Sequence, residues 1–185
     1  MRVEIVEEAE GAPPAAVFPP EQNYFDLRAN PAAIGQIAAA RQYLPLRNFL
    51  ASVNSVESIF ATVRVNTKSE LPASVSADQA CEFASQSRIV FAEPQLNWER
   101  KRYADLGSSL KELLERDAAD AIRTTLRISS CEFTAENRCG FCLDIRLISE
   151  GNSAQQAELR WGLGLARVQQ ALLFWSRALK QKIAE

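Results

Sequence analysis

The chain has 185 residues and not one histidine. That absence removes Ser-His and Cys-His nucleophile pairs, imidazole metal ligands and imidazole proton shuttles. Any catalysis would fall to carboxylates, Lys, Tyr, Cys or Arg. Glycine is scarce as well. The seven glycines form neither a phosphate-cradling loop nor a dinucleotide-binding turn, and there is no nucleophile elbow, so no cofactor is expected. Four cysteines do not make a secreted disulfide framework. Positive charge is not in excess: the net charge is −2 and the pI about 5.4. A protein that holds nucleic acid non-specifically needs a basic field, so nucleic acid is not an expected partner. Uninterrupted apolar runs are also missing. Arg160, Arg167 and Arg177 cut the C-terminal one well below membrane-spanning length. The opening MRVEIVEEAEG carries four Glu in place of a signal-peptide core. No membrane contact and a cytoplasmic location are therefore expected.

An apolar content of 47% with 24% charged residues is that of an ordinary globular protein. A single domain over residues 1–185 would bury roughly 70% of its unfolded surface. Of the 21 basic residues, 16 are arginine, a choice that favours forked hydrogen bonds over bare charge.

The most ordered stretch runs from Ser153 to Glu185. Ser153 followed by Gln156 is a capping box. At 100° per residue, Ala157, Trp161, Leu165, Val168, Leu172, Trp175, Leu179 and Ile183 fall in a stripe roughly 80° wide. One helix of ~45 Å is predicted. Leu159, Leu163 and Phe174 form a second apolar line on its opposite side. They need either the helix predicted from Asn97 to Ile122 or a second copy of the chain to cover them. Gly162 and Gly164 permit a close approach there, or break the helix.

Ahead of that helix, Arg2 to Glu8 reads as a strand and Gly11 to Pro20 as a packed, proline-rich connector. Asn30-Pro31 opens a helix that Pro45 stops, and Leu46 to Val53 forms another. Ile59 to Asn66 alternates as a strand, with Thr62 and Arg64 on one side. Ser76 and Gln79 cap a short helix reaching Ser85, and Arg88 to Ala92 is a brief strand. Asn97 caps the next helix, which places Asp117 on the same side as Leu110 and Leu114. A carboxylate there needs a partner such as arginine, or has a chemical role.

The strongest hairpin signal is Thr124 to Ile148, turning at Thr134-Ala135-Glu136-Asn137. A four-residue turn sets Leu126 against Ile145, Ile128 against Leu143 and Arg127 against Asp144. A two-residue turn would oppose Arg127 and Arg146, which is unfavourable. In the four-residue register one side is aliphatic and receives the long helix. The other carries Arg127, Ser129, Cys131, Cys142, Asp144 and Arg146, with Arg64 joining from the earlier strand. Such a face suits a carboxylate or phosphate ligand, or pairs its own charges. Cys139-Gly-Phe-Cys142 invites a dithiol or zinc reading, with Cys131 and Cys81 as further ligands. On a regular strand, however, positions three apart point to opposite sides, and only a bulge at Gly140 would bring the thiols together. No metal is expected.

The expected fold is α+β: an antiparallel sheet of about four strands packed against a long C-terminal helix, with shorter helices around it. The expected function is a non-catalytic binding or interaction module, homodimeric through Leu159, Leu163 and Phe174. The alternative is an enzyme or sensor for a small anionic ligand at Arg64, Arg127, Asp144 and Arg146, with Asp144 or Asp117 as acid or base.

Overall fold

A computed structural model describes residues 1–8, 13–20, 24–70, 81–116 and 121–184. The elements run β1 (Arg2–Glu7), β2 (Ala16–Phe18), a 3-10 turn (Pro31–Gln36), α1 (Ala38–Gln42), α2 (Leu44–Val53), β3 (Phe60–Glu70), β4 (Cys81–Phe91), a second 3-10 turn (Pro94–Asn97), α3 (Arg100–Glu115), β5 (Ile122–Phe133), β6 (Arg138–Gly151) and α4 (Ala154–Ala184). The α+β class stands, but the sheet has six strands rather than about four. Its order is β1-β5-β6-β4-β3, with β2 also on β5. The strand read over Arg2 to Glu8 is present as β1, and the unexpected member is β2, inside the proline-rich connector. Both β1 and β2 join β5 in parallel, so the sheet is mixed rather than purely antiparallel.

The β5–β6 hairpin keeps the register that charge pairing demands: Leu126 faces Ile145, Ile128 faces Leu143 and Arg127 faces Asp144. The helices lie over the aliphatic side. There, Leu126, Ile128, Leu143, Ile145 and Leu147 merge with Leu46, Phe49, Leu106, Leu110, Trp161 and Leu165 in one core.

The α4 helix is continuous. Ser153 Oγ accepts the Gln156 N–H at 3.2 Å, and Gln156 Oε1 accepts the Asn152 N–H at 2.7 Å. The capping box is thus real, with its return bond one residue ahead of the cap. Its glycines are spacers, not breaks. A Cβ at Gly164 would lie 3.1 Å from Ile122 and Leu147 beneath the helix, and one at Gly162 would lie 2.9 Å from Pro45 on α2. Trp161 anchors one half of the helix, donating its Nε1–H to Ser85 Oγ at 2.8 Å and packing on Phe83 and Tyr43. Trp175 anchors the other half on Phe60 and Phe91.

Four local expectations are corrected. The helix expected from Asn30-Pro31 is a 3-10 turn and then a separate α1 that ends at Gln42, and Pro45 sits in the first turn of α2, where its missing N–H costs nothing. Residues Cys81 to Ser85 are strand, because the whole of β4 is a central member of the sheet between β3 and β6; Ser76 and Gln79 lie outside the described residues. Asn97 caps nothing. It is fully buried and brackets Phe91, accepting that residue's N–H at 2.8 Å and donating to its carbonyl at 3.0 Å. Tyr103 OH donates to the same Asn97 oxygen at 2.6 Å. Last, Thr62 and Arg64 do not share a face. A bulge between them inserts Val63, so Thr62 turns to Asn54 in the helical layer while Arg64 emerges on the other side.

Candidate functional site

The side of the sheet away from the helices is polar, and among the described residues no helix covers it. One row crosses five strands: Val6, Arg127, Asp144, Arg88 and Arg64. The next row carries Glu4, Thr125, Arg146, Gln86 and Asn66. The four candidate ligand-binding residues, Arg64, Arg127, Asp144 and Arg146, all lie on this face. Their roles differ, because Arg88 takes the carboxylate.

Asp144 is bound by a guanidinium fork: Arg88 Nε donates to Oδ1 and Arg88 Nη2 to Oδ2, both at 2.8 Å. The side chains are 16% and 6% exposed. Burial works against the charged Arg88, but the hydrogen bonds and charge of Asp144 outweigh it and raise its pKa. Arg127 lies directly opposite Asp144, yet its exposed side chain makes no bond to it. Among the described residues nothing pairs with Arg64, Arg127 or Arg146. Strands sit ~4.8 Å apart, so Arg127 and Arg146, diagonal neighbours at ~7–8 Å, can converge on one anion. Arg64 stands three strands from Arg127, ~14 Å away. Arg88 was the residue missed. Its signal is the alternation of Gln86 and Arg88 with Ser85, Ser87 and Ile89, which a strand beginning at Arg88 hides.

Toward the hairpin turn the same face becomes apolar. Cys131, Cys142, Val63, Val90 and Phe133 form a small second core under Ala16, Phe18 and Trp98. The Cys142 thiol donates to the Ser129 carbonyl at 3.6 Å and the Cys131 thiol to the Glu132 carbonyl at 3.8 Å; the neighbouring Cys131 sulfur and burial push the Cys142 pKa up, while the neighbouring Cys142 and the charge of Arg88 lower that of Cys131. Ser129 Oγ is buried there without a hydrogen-bond partner among the described residues. Cys139 is exposed on the opposite side of β6. No bulge joins Cys139 to Cys142, because the ladder runs unbroken through Gly140. That glycine instead makes room for Asn97 and Trp98, which a Cβ would meet at 2.7 and 2.8 Å. Among the described residues no group of three or more Cys, Asp or Glu could hold a metal. Asp117 lies outside the described residues.

A second candidate surface is the outer side of α4. Leu159, Leu163 and Phe174 are 66%, 57% and 61% exposed, and Leu44 of α2 joins them at 64%. Leu44, Pro45, Leu159, Gly162, Leu163 and Ala166 line a groove of about 840 Å³. Phe174 flanks a smaller one of about 370 Å³, beside Leu113 and Leu114. Thus α3 packs next to α4 without covering the second apolar line. Among the described residues no helix is long and apolar enough to cross a membrane. Comparison with family models, with curated proteins and with solved structures gives no match.

Proposed function

We propose that the protein is a non-catalytic binding module that self-associates through the outer side of α4. The supporting observation is the one stripe on which Leu159, Leu163 and Phe174 stay more than half exposed, continued by Leu44. A two-fold pairing covers each such side chain twice. In an antiparallel register centred on Ala166 and Arg167, Leu159 meets Phe174 of the partner subunit and Glu158 approaches Arg177 of the partner subunit. Ala166, small and exposed, lies where the axes cross and permits a spacing of ~8 Å. A cytoplasmic setting accords with four free thiols.

Covering the exposed 57% of Leu163 is worth ~1–2 kcal/mol per copy. Leu163→Asp should therefore raise the dimer Kd at least ~30-fold, at 1.4 kcal/mol per tenfold, and leave subunit folding intact. Sedimentation velocity of both proteins over a concentration series measures this. A wild-type monomer at high concentration overturns the reading.

A second reading rests on a different observation: Arg127 and Arg146 stand unpaired beside an Arg88–Asp144 unit that is already neutral. That arrangement suits a small carboxylate or phosphate ligand, held by a sensor or an enzyme. Titration calorimetry with inorganic phosphate and citrate tests it. Arg127→Ala or Arg146→Ala should abolish binding at an unchanged melting temperature, and a variant that unfolds instead would mark the arginine as structural.

A further inference from the structure

The sheet ends at β3, and its outer edge is finished along only half its length. Near the start of the strand, Arg28 donates to the carbonyls of Ser55, Ser58 and Phe60 at 3.1, 3.1 and 3.0 Å. The Thr62 N–H, which points outward, reaches Asn54 Oδ1 at 2.9 Å. Beyond the bulge the outward backbone groups belong to Val65 and Thr67, since these face Ser87 and Ser85 in the same phase in which Thr62 faces Ile89. Among the described residues no hydrogen bond meets them.

A cleft of about 640 Å³ runs beside this open half. Its lining includes five consecutive residues, Thr62 to Asn66. Successive strand side chains point to opposite faces, so five in a row can border one cleft only along the backbone edge. The far wall is apolar and aromatic, with Tyr24, Phe25 and Ile37. Burial, with some help from Asp26, pushes the Tyr24 phenol up to about 12, as expected for a ring held in a partly dry wall.

We propose that this edge and cleft bind an extended, acidic peptide segment of a partner protein by strand addition. Open backbone groups supply the hydrogen-bonding template, and the aromatic wall supplies pockets for alternate side chains. Charge decides the occupant. Arg64 and Lys68 are both exposed, four residues apart on one face of the edge strand, and Arg28 brings a third cation that, among the described residues, binds only carbonyls. Asp26 holds the N–H groups of Arg28 and Ala29. A second copy added antiparallel about Asn66 would set Arg64 against Lys68 of the partner subunit, a like-charge opposition that disfavours self-pairing. Glutamates at every second position of an incoming strand fall on the face of Arg64, which nothing among the described residues pairs.

The test uses a fluorescein-labelled Glu/Val alternating heptapeptide, its Lys/Val counterpart, and the Glu/Val peptide N-methylated at alternate amides, read by anisotropy at low salt. The Glu/Val peptide should bind and the other two should not. Arg64→Glu and Val65→Pro should each weaken binding roughly tenfold or more, the effect of one lost hydrogen bond or charge contact. Proline is tolerated at an outward edge position, and the N-methylated peptide keeps the test independent of any altered protein. Failure of the Glu/Val peptide to bind, or equal binding of its N-methylated form, overturns the proposal. A Val65→Pro protein that changes oligomeric state while no peptide binds would give the edge to a second copy, and would also overturn it.

Discussion

Asp144 is the residue whose removal discriminates most sharply between chemistry and architecture. As an acid or base it would be replaceable without great loss of stability. The fork from Arg88 implies otherwise. Asp144→Ala deletes two charge-assisted hydrogen bonds of 2.8 Å and strands a guanidinium that is only 16% exposed. Breaking a buried pair from one side costs about 3–5 kcal/mol. For a domain of this size each kcal/mol lowers the melting temperature by about 2–4 °C, so a drop of roughly 6–20 °C is expected. Asp144→Asn keeps the shape and one acceptor and should lose about half as much. Arg88→Met combined with Asp144→Leu should recover most of the loss, because an apolar replacement of a whole buried pair is often close to neutral. Urea denaturation of the wild type, Arg88→Met, Asp144→Leu and the double variant closes a double-mutant cycle and gives the coupling. If Asp144→Ala costs under about 1 kcal/mol, the pair behaves as an exposed one and the inference from its burial is wrong.

Asn97→Ala should destabilise by roughly 3 kcal/mol, since it orphans the Phe91 N–H and carbonyl and the Tyr103 hydroxyl at once; a shift in urea midpoint checks this. Under native conditions a chromogenic disulfide reagent should modify Cys139 rapidly and leave Cys131 and Cys142 untouched until unfolding, and mass analysis after brief exposure identifies the site. Alkaline stability follows from the tyrosines. Burial raises Tyr24 to about 12 and Tyr103 well above its ordinary value in the folded chain, so the folded state holds these protons after the unfolded state has begun to release them. Their contribution is complete below about pH 10 and is lost as pH rises through the folded values. Urea midpoints should fall with pH above that point, and Tyr24→Phe should flatten the decline up to about pH 12.

The parts of the fold legible in the sequence were those fixed by one local rule. The Ser153–Gln156 cap, the apolar stripe of α4 and the register of the β5–β6 hairpin each follow from residue spacing within one element or between two adjoining ones. What escaped notice depends on distant partners. The connector piece β2 becomes a strand because β5 offers its free side, and nothing within AVF states that. Residues Cys81 to Ser85 carry a helix-like polar pattern, yet β6 on one flank and β3 on the other hold them extended. Asn97 looks like a cap because a buried asparagine and a capping one are the same residue until Phe91 and Tyr103 close around it.

The sheet face shows how one extra residue redirects a site. Thr62 and Arg64 share a parity and, on a regular strand, would share a side. Val63 enters as the bulged residue, and the two then serve opposite layers: Thr62 locks the strand to Asn54 under the helices, and Arg64 becomes a cation at the sheet margin. Two consequences follow from the same insertion. Arg64 is moved into the wall of the edge cleft and away from Arg127, so one small anion cannot engage both. The outward phase of the β3 backbone also shifts, leaving Val65 and Thr67 to present the open hydrogen-bonding edge beside that cation. Deleting Val63 should therefore remove the bulge without moving either partner: Thr62 and Arg64 become consecutive, so Thr62 stays on the helical side opposite Ile89, Arg64 stays on the polar side opposite Arg88, and α4 with its outer stripe keeps its place.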